Sequence, residues 1–204
     1  MTSDSSDRNA GPDRQKRGGR LPPGQRAIEN RPTLHRGEVP RIDLNTWAFR
    51  VWGEVEEGLT LSWQEFMALP KTTVTADAHC VEGWSVLDNT WEGVAFQELM
   101  KRIRPKPQAR FVMVHCHGDY TTNVSLEDLL DDSVLFAYKH NGQDLKPEHG
   151  WPLRLVMPKL YLWKSAKWAW GLQFMSEDRP GFWESAGYHH RGDVWQEERY
   201  SQRR

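Results

Sequence analysis

From "RIDLNTWAFRVWGEV" onward the chain alternates. Trp47, Phe49 and Val51 fall on one side and Ala48, Arg50 and Trp52 on the other, which is strand spacing, and Gly53 marks a bend or bulge at the strand's end. "LTLSWQEFMALP" predicts a short strand and then a short helix, with Ser62 as N-cap, Glu65 completing a capping box and Pro70 after the stop. A second strand runs through "KTTVTADAHCV", with Val74, Ala76, Ala78 and Cys80 on its less polar face. "GVAFQELMKRI" carries Phe96, Leu99, Met100 and Ile103 at helical spacing, and Pro105 closes it. "RFVMVHCHGDYTTNVSL" reads as a strand, a turn and a second extended piece, after which Ser125 and Asp128 cap a short helix, "LEDLL". Asn141-Gly142 supplies the positive φ angles of a hairpin turn, and "WPLRLVMP" and "AWGLQFM" read as the last two core strands. Beyond Glu177 there are too few apolar residues for a further domain.

Many short strands with a few short helices, without regular strand and helix alternation, indicate an α+β fold. No period of about 20 to 50 residues repeats, so a solenoid or propeller is unsupported. The first 30 residues differ from the rest: they are rich in Ser, Asp, Gly, Pro and Arg and almost without apolar side chains, so they are expected to form a disordered polar tail ahead of one domain over 31–204. Their arginines are not followed by the apolar segment of about 7 to 15 residues that an export signal needs, and no window offers roughly 18 uninterrupted apolar residues for a membrane span. A cytoplasmic protein is expected. The formal net charge of −1 gives no field to gather nucleic acid, and two cysteines give no disulfide framework. Eleven tryptophans are the unusual feature and favour large packed surfaces, a cofactor pocket or a partner interface.

The local clusters that could carry chemistry are His79-Cys80, His115-Cys116-His117, "EHGWPLR" at 148–154 and "KSAKW" at 164–168. A zinc site would need His115, His117 and the 79–80 pair together, because an adjacent His-Cys-His in a strand sends its cysteine to the opposite face. Either cysteine could be a nucleophile if a histidine approached it in space, although no nucleophile-elbow pattern or cysteine-protease signature is present. Phosphate-loop patterns are absent: neither GxxxxGK[ST] nor GxGxxG occurs. Each cluster also has an ordinary reading, with Cys80 an inert core thiol, Arg154 a surface-paired strand residue, Lys164 and Lys167 solvated ends, and Trp163, Trp168 and Trp170 core or interface.

"HCVEGWS", followed after a spacer by "HGWPLRLVMPKLYLWKSAKWAWGLQF", resembles the molybdopterin-binding domain of the sulfite oxidase family, in particular the bacterial branch of the methionine sulfoxide reductase catalytic subunit. The resemblance covers roughly residues 35 to 200 and implies a sulfite-oxidase-like fold holding one mononuclear molybdenum-molybdopterin. It implies that Cys80 is the protein's thiolate ligand to molybdenum, a soft donor suited to a metal already held by dithiolene sulfurs. By the same resemblance Arg154 reaches the cofactor, Ser165, Ala166 and Lys167 wrap the pterin and its phosphate, and Cys116 stands where the branch has a threonine near the cofactor. His149 replaces an asparagine of the branch that contacts the pterin, and His35 and Arg36 lie where the family's N-terminal segment touches it. Glu82 and Tyr161 lie beside these motifs, near the substrate approach.

The resemblance implies a redox enzyme that moves an oxygen atom together with two electrons. Sulfite, a dianion, calls for several arginines, whereas Val, Glu, Gly and Trp follow Cys80, so reduction of an S-oxide or related small oxide is expected over sulfite oxidation. Haem, flavin and iron–sulfur signatures are absent, so a separate electron-transfer partner is expected. There is no room for the dimerisation domain of larger family members, which points to a monomer or weak dimer. The competing class is a non-enzymatic, Trp-rich binding module with a structural zinc or no metal.

Overall fold

The computed structural model describes residues 19–201, which form two mixed sheets packed face to face. One contains β2 (Ala48–Gly53), β3 (Leu59–Ser62), β6 (Phe111–Cys116), β7 (Thr121–Ser125) and β11 (Ala169–Met175), in the order β3-β2-β11-β6-β7. The other is built on β5 (Trp84–Ala95), which pairs with β1 (Arg26–Ala27), β4 (Thr72–His79) and β8 (Leu135–His140); β8 also pairs with β9 (Gln143–Asp144) and β10 (Arg154–Val156). The helices α1 (Trp63–Met67), α2 (Phe96–Met100), α3 (Leu126–Leu129) and α4 (Phe182–Ser185) are single turns at strand ends. None of the described helices is long and apolar enough to cross a membrane.

The core lies between the sheets. Phe49 and Val51 on β2 face Phe136 on β8, with the rings of Phe49 and Phe136 5.2 Å apart across the interface. Because β8 alternates, Leu135 and Ala137 point to the far face and pack with Trp91, Leu145 and Val156 in a second apolar cluster. The β5–β8 sheet is thus buried on both sides, and Trp91 on its second face offers its ring to two arginines of the site.

Several local expectations are met by specific contacts. Ser62 and Glu65 form both halves of the capping box on α1, and Ser125 accepts from the Asp128 amide on α3. Asn141 and Gly142 turn with φ of 50° and 75° between β8 and β9. Gly53 ends β2 at φ 92°, where a Cβ would stand 2.2 Å from the Phe174 carbonyl oxygen, so only glycine lets β2 leave β11 there.

One strand is not anticipated by the pattern, and two expectations are corrected. The twelve-residue β5 is not legible in the sequence, because Asp88 (φ 58°) and Asn89 are turn-forming residue types; Asp88 sits with Leu87 in a bulge opposite Asp77 that shifts the β4–β5 register between Ala76 and Ala78, and Asn89 pairs with Ala76. Gly93, Val94 and Ala95 belong to that strand, which leaves only Phe96–Met100 helical. Residues 20–30 are docked and not a tail. Arg26–Ala27 pairs in parallel with Trp84–Ser85, and Arg20 bridges Asp77 and Asp88, contacts from polar groups that apolar composition does not register. The expected disorder of residues 1–18 lies outside the described residues.

Lys164 is fully buried, not a solvated end. Its ammonium donates to Glu184 Oε1 on α4 at 2.6 Å and to the Asn123 carbonyl at 2.6 Å, while Glu184 also accepts from Thr122 Oγ1 and Trp163 Nε1. Burial lowers the Lys164 pKa, and Glu184 opposes that shift. The pair ties the C-terminal segment to the 164–168 loop. We expect Glu184→Gln, which strands the ammonium, to cost about 3–5 kcal/mol in urea unfolding, and the double change Lys164→Met with Glu184→Leu to recover much of that loss.

Candidate active site

A cavity of about 410 Å³ opens between the tip of the β4–β5 hairpin, the 164–168 loop, residues 31–36 and the C-terminal segment. Cys80 lies just past the end of β4, so the hairpin turn, and not strand alternation, aims its side chain. The Cys80 amide donates to the Trp84 carbonyl (2.8 Å), and its own carbonyl accepts from the Gly83 amide (3.0 Å) and from Gln25 Nε2 (2.9 Å). Gln25 in turn accepts from Ser85 Oγ, which stands 2.8 Å from His79 Nδ1. Arg199 donates to the Val81 carbonyl. The turn is therefore fixed from three parts of the chain, and the sulfur is its free functional atom. Burial pushes the thiol pKa up to about 11; the amides of Glu82 and Val81 and the Arg199 charge only partly offset this, and the Glu82 carboxylate adds to it. Alone, such a thiol stays protonated at neutral pH. It is a poor unassisted nucleophile and ionises only against a strong local cation.

Cations gather at the other end. Arg154 on β10 is 3% exposed, donates through Nη1 to the His149 carbonyl (3.2 Å), and leaves Nε without a partner. Both terminal nitrogens of Arg31 are buried without a partner. The two guanidinium carbons sit 5.5 and 5.6 Å from the centroid of the Trp91 ring. Lys167 donates to the Leu34 and Glu148 carbonyls at 2.6 and 2.7 Å. Burial, then Arg154 and Arg31, depress its pKa to about 7 against a weak upward pull from Glu148. His149, 3.1 Å from Thr33 Oγ1, is lowered by burial and by the same cations. Among the described residues no carboxylate makes an ion pair with Arg31, Arg154 or Lys167. A guanidinium over an aromatic face gains roughly 0.5–2 kcal/mol, whereas withdrawing a charge from water costs several. The cluster is thus electrostatically incomplete, and a dianion is the ligand that completes it.

Eight of the nine sequence-derived residues line this cavity: His35, Arg36, Cys80, His149, Arg154, Ser165, Ala166 and Lys167. Cys116 does not. Strand parity on β6 sends it into the inter-sheet core, 5% exposed, while His115 and His117 point to the opposite face beside Trp52 and Trp170. That parity leaves no ligand set for zinc, and no group of three or more potential ligands exists among the described residues. Ser165 and Ala166 amides are used inside their own loop, by Leu162 and Lys164 carbonyls, so the loop offers an anion Lys167 and the Ser165 hydroxyl and not a row of backbone N–H groups. Ser165 Oγ accepts from the Met157 amide (2.9 Å), which leaves its proton to donate. Glu82 lines the Cys80 end; Tyr161 does not, lying beneath it stacked on Trp163. Arg31, at the border of the expected tail, is a lining residue that the sequence does not single out, and neither does it single out Trp91 on β5, whose ring carries the Arg31 and Arg154 guanidiniums. A thiol at one end, buried unpaired cations at the other and aromatic walls between them fit an elongated ligand that carries a soft metal and a phosphate.

Comparison with known proteins agrees. The sequence profile described as oxidoreductase molybdopterin binding domain matches residues 36–183. The chain is 46% identical over 184 residues to "Uncharacterized oxidoreductase YuiH" of Bacillus subtilis (strain 168), covering 90% of this chain and 93% of that protein. It is 28% identical over 161 residues to "Protein-methionine-sulfoxide reductase catalytic subunit MsrP" of Campylobacter jejuni, covering 71% of this chain but only 54% of that relative. In structure it is similar to the sulfane dehydrogenase SoxCD from Paracoccus pantotrophus, with a TM-score of 0.65 at 22% identity over 70% of this chain and 41% of that one, a likeness that shows the sulfite-oxidase-like fold. The chain therefore belongs to the oxidoreductase molybdopterin-binding domain family, and it is a molybdenum-dependent oxidoreductase whose cofactor is molybdenum-molybdopterin.

Proposed function

We propose that the protein reduces a small, uncharged oxide, an S-oxide before others. Overall, the sulfur–oxygen bond of the S-oxide breaks, two electrons and two protons are taken up, and the products are a thioether and one water. The observation that carries this reading is the charge distribution at the Cys80 end. Glu82 is the carboxylate there, Arg199 is committed to the Val81 and Pro23 carbonyls, and the unpaired cations stand at the opposite end. A dianion such as sulfite would meet a carboxylate at that position; an uncharged S-oxide meets Trp163, Trp183 and Tyr188. The cofactor, when bound, supplies the two-electron oxygen-atom chemistry.

In this reading Cys80 provides the thiolate ligand, while Arg154, Lys167 and the Ser165 hydroxyl hold the phosphate end. His149 positions Arg154 through its carbonyl, and Ala166 contributes wall. His35 and Arg36 form the rim over the cofactor, with the Arg36 guanidinium 3.8 Å from the Phe182 ring centroid. Cys116 has no part. Electrons come from a separate partner, in keeping with the name of the Campylobacter relative, a catalytic subunit.

Cys80→Ser is expected to abolish dye-coupled reduction of methionine sulfoxide while part of the pterin remains bound by the cation end. Turnover retained in that variant would remove Cys80 from its role. Elemental mass spectrometry of the wild type is expected to give near-stoichiometric molybdenum; zinc alone would favour the binding module.

Lys167 predicts a pH dependence of a definite sign. In the cofactor-free site its pKa is about 7, so at higher pH the neutral amine must take up a proton before it can meet a dianion as an ammonium. The affinity of the cofactor-free site for a phosphate monoester, which binds without ionising the Cys80 thiol, should therefore fall between pH 7 and pH 9, where the phosphate is already a dianion, by up to about tenfold per pH unit. Binding of the phosphate monoester should be accompanied by proton uptake measurable by calorimetry in buffers of different ionisation heat. Lys167→Met should bind more weakly and flatten the profile.

A further inference from the structure

Residues 20–36 lie almost wholly ahead of the segment matched by the family profile, yet they run the length of the cavity. At the Cys80 end, Gln25 holds the Cys80 carbonyl, β1 pairs with the first residues of β5, and Arg20 bridges Asp77 and Asp88. At the cation end, Thr33 meets His149 and the Leu34 carbonyl accepts from Lys167. Between these fixed points stands Arg31, with buried terminal nitrogens that no protein group satisfies and a guanidinium held over Trp91 next to Arg154. Gln25, Arg20, Thr33 and the Leu34 carbonyl each have a hydrogen-bond partner in the protein, and the terminal nitrogens of Arg31 have none.

We propose that residues 20–36 are a cofactor-retaining strap and that Arg31 is a phosphate-binding residue, giving the cofactor's dianionic end a second permanent cation beside Arg154. This rests on the placement of the phosphate end given under Proposed function. The strap spends its hydrogen bonds on reaching the site, and Arg31 is its buried side chain whose terminal nitrogens are left for the ligand. A guanidinium matches a phosphate with paired donors, which an ammonium at the same place does not. The neighbours facing Arg31 are Arg154 on β10, Lys167 on its loop, His149 with Glu148 on the 147–149 turn, and His140 at the end of β8. Four of these five are cationic or can become so; a dianion relieves their repulsion.

The discriminating property is that Arg31 should act with opposite sign in the empty and the loaded protein. Removing one of two buried like charges relieves repulsion when no anion is present and removes a ligand contact when one is. The experiment compares wild type, Arg31→Gln and Arg31→Lys in three measurements: thermal unfolding of the cofactor-free protein, the shift of that unfolding by inorganic phosphate, and the molybdenum remaining per protein during dialysis of the loaded enzyme. Cofactor-free Arg31→Gln is expected to melt at or above the wild-type temperature and to lose most of the phosphate-induced shift. Loaded Arg31→Gln should release molybdenum roughly tenfold faster or more, the loss of one charge-assisted contact, with Arg31→Lys in between.

If Arg31→Gln lowers the stability of the empty and loaded protein alike and keeps the full phosphate shift, Arg31 is structural and the proposal is wrong. Equal molybdenum retention in wild type and Arg31→Gln would also overturn it. The phosphate measurement needs no metal. A wild type that carries zinc alone would thus defeat the oxygen-transfer reading, while the anion site at Arg31 would still be decided.

Discussion

Repulsion among buried positive charges is the constraint around which this molecule is arranged. Arg31, Arg154 and Lys167 come from three separate parts of the chain, and among the described residues no carboxylate forms an ion pair with them. Such a cluster does not assemble by its own attraction; the scaffold has to force it. The two-sided burial of β8 and β10 fixes Arg154, the Trp91 face of β5 gives both guanidiniums a surface to lie on, and the carbonyls of Leu34 and Glu148 hold Lys167. Core packing supplies the free energy, and the site holds it in the form of an unfilled demand for negative charge.

The thiol end is built in the opposite way. Cys80 stands on a hairpin turn whose backbone groups are satisfied by neighbours, so its geometry is set before any ligand arrives, while its environment keeps the sulfur protonated until a metal charge is near. One end of the cavity is a rigid neutral donor and the other a rigid excess of charge. A ligand with a soft metal at one extremity and a phosphate at the other satisfies both, and a shorter ligand satisfies only one.

Much of this was legible in the sequence where a residue type has a single local meaning. Ser62 with Glu65, Ser125 with Asp128, and Asn141-Gly142 announced their elements because capping and positive φ are local physics. The candidate residues that line the cavity were found because two short motifs carry them. What stayed hidden depended on distant partners. β5 is interrupted by Asp88 and Asn89, which read as a turn until β4 is known to bulge opposite them. Residues 20–36 are polar, so composition marks them as a tail, although hydrogen bonds and ion pairs with specific partners hold them in place. Cys116 illustrates a narrower limit: alternation correctly separated it from His115 and His117 but could not say which face of β6 met the core.

Arg199 closes the arrangement. Its guanidinium donates to the Val81 carbonyl beside Cys80 and to the Pro23 carbonyl of the strap, so a residue near the end of the described chain joins one near its beginning at the turn that carries the thiol. During synthesis the hairpin emerges with more than a hundred residues still to follow, since Arg199 lies 118 positions after Val81. The clasp that Arg199 makes between the thiol turn and the strap cannot exist until the ribosome has almost finished this domain. Stable capture of the cofactor in the finished pocket thus waits until the chain has been made through Arg199, and a nascent chain stalled short of Arg199 exposes the thiol turn without its closing contact.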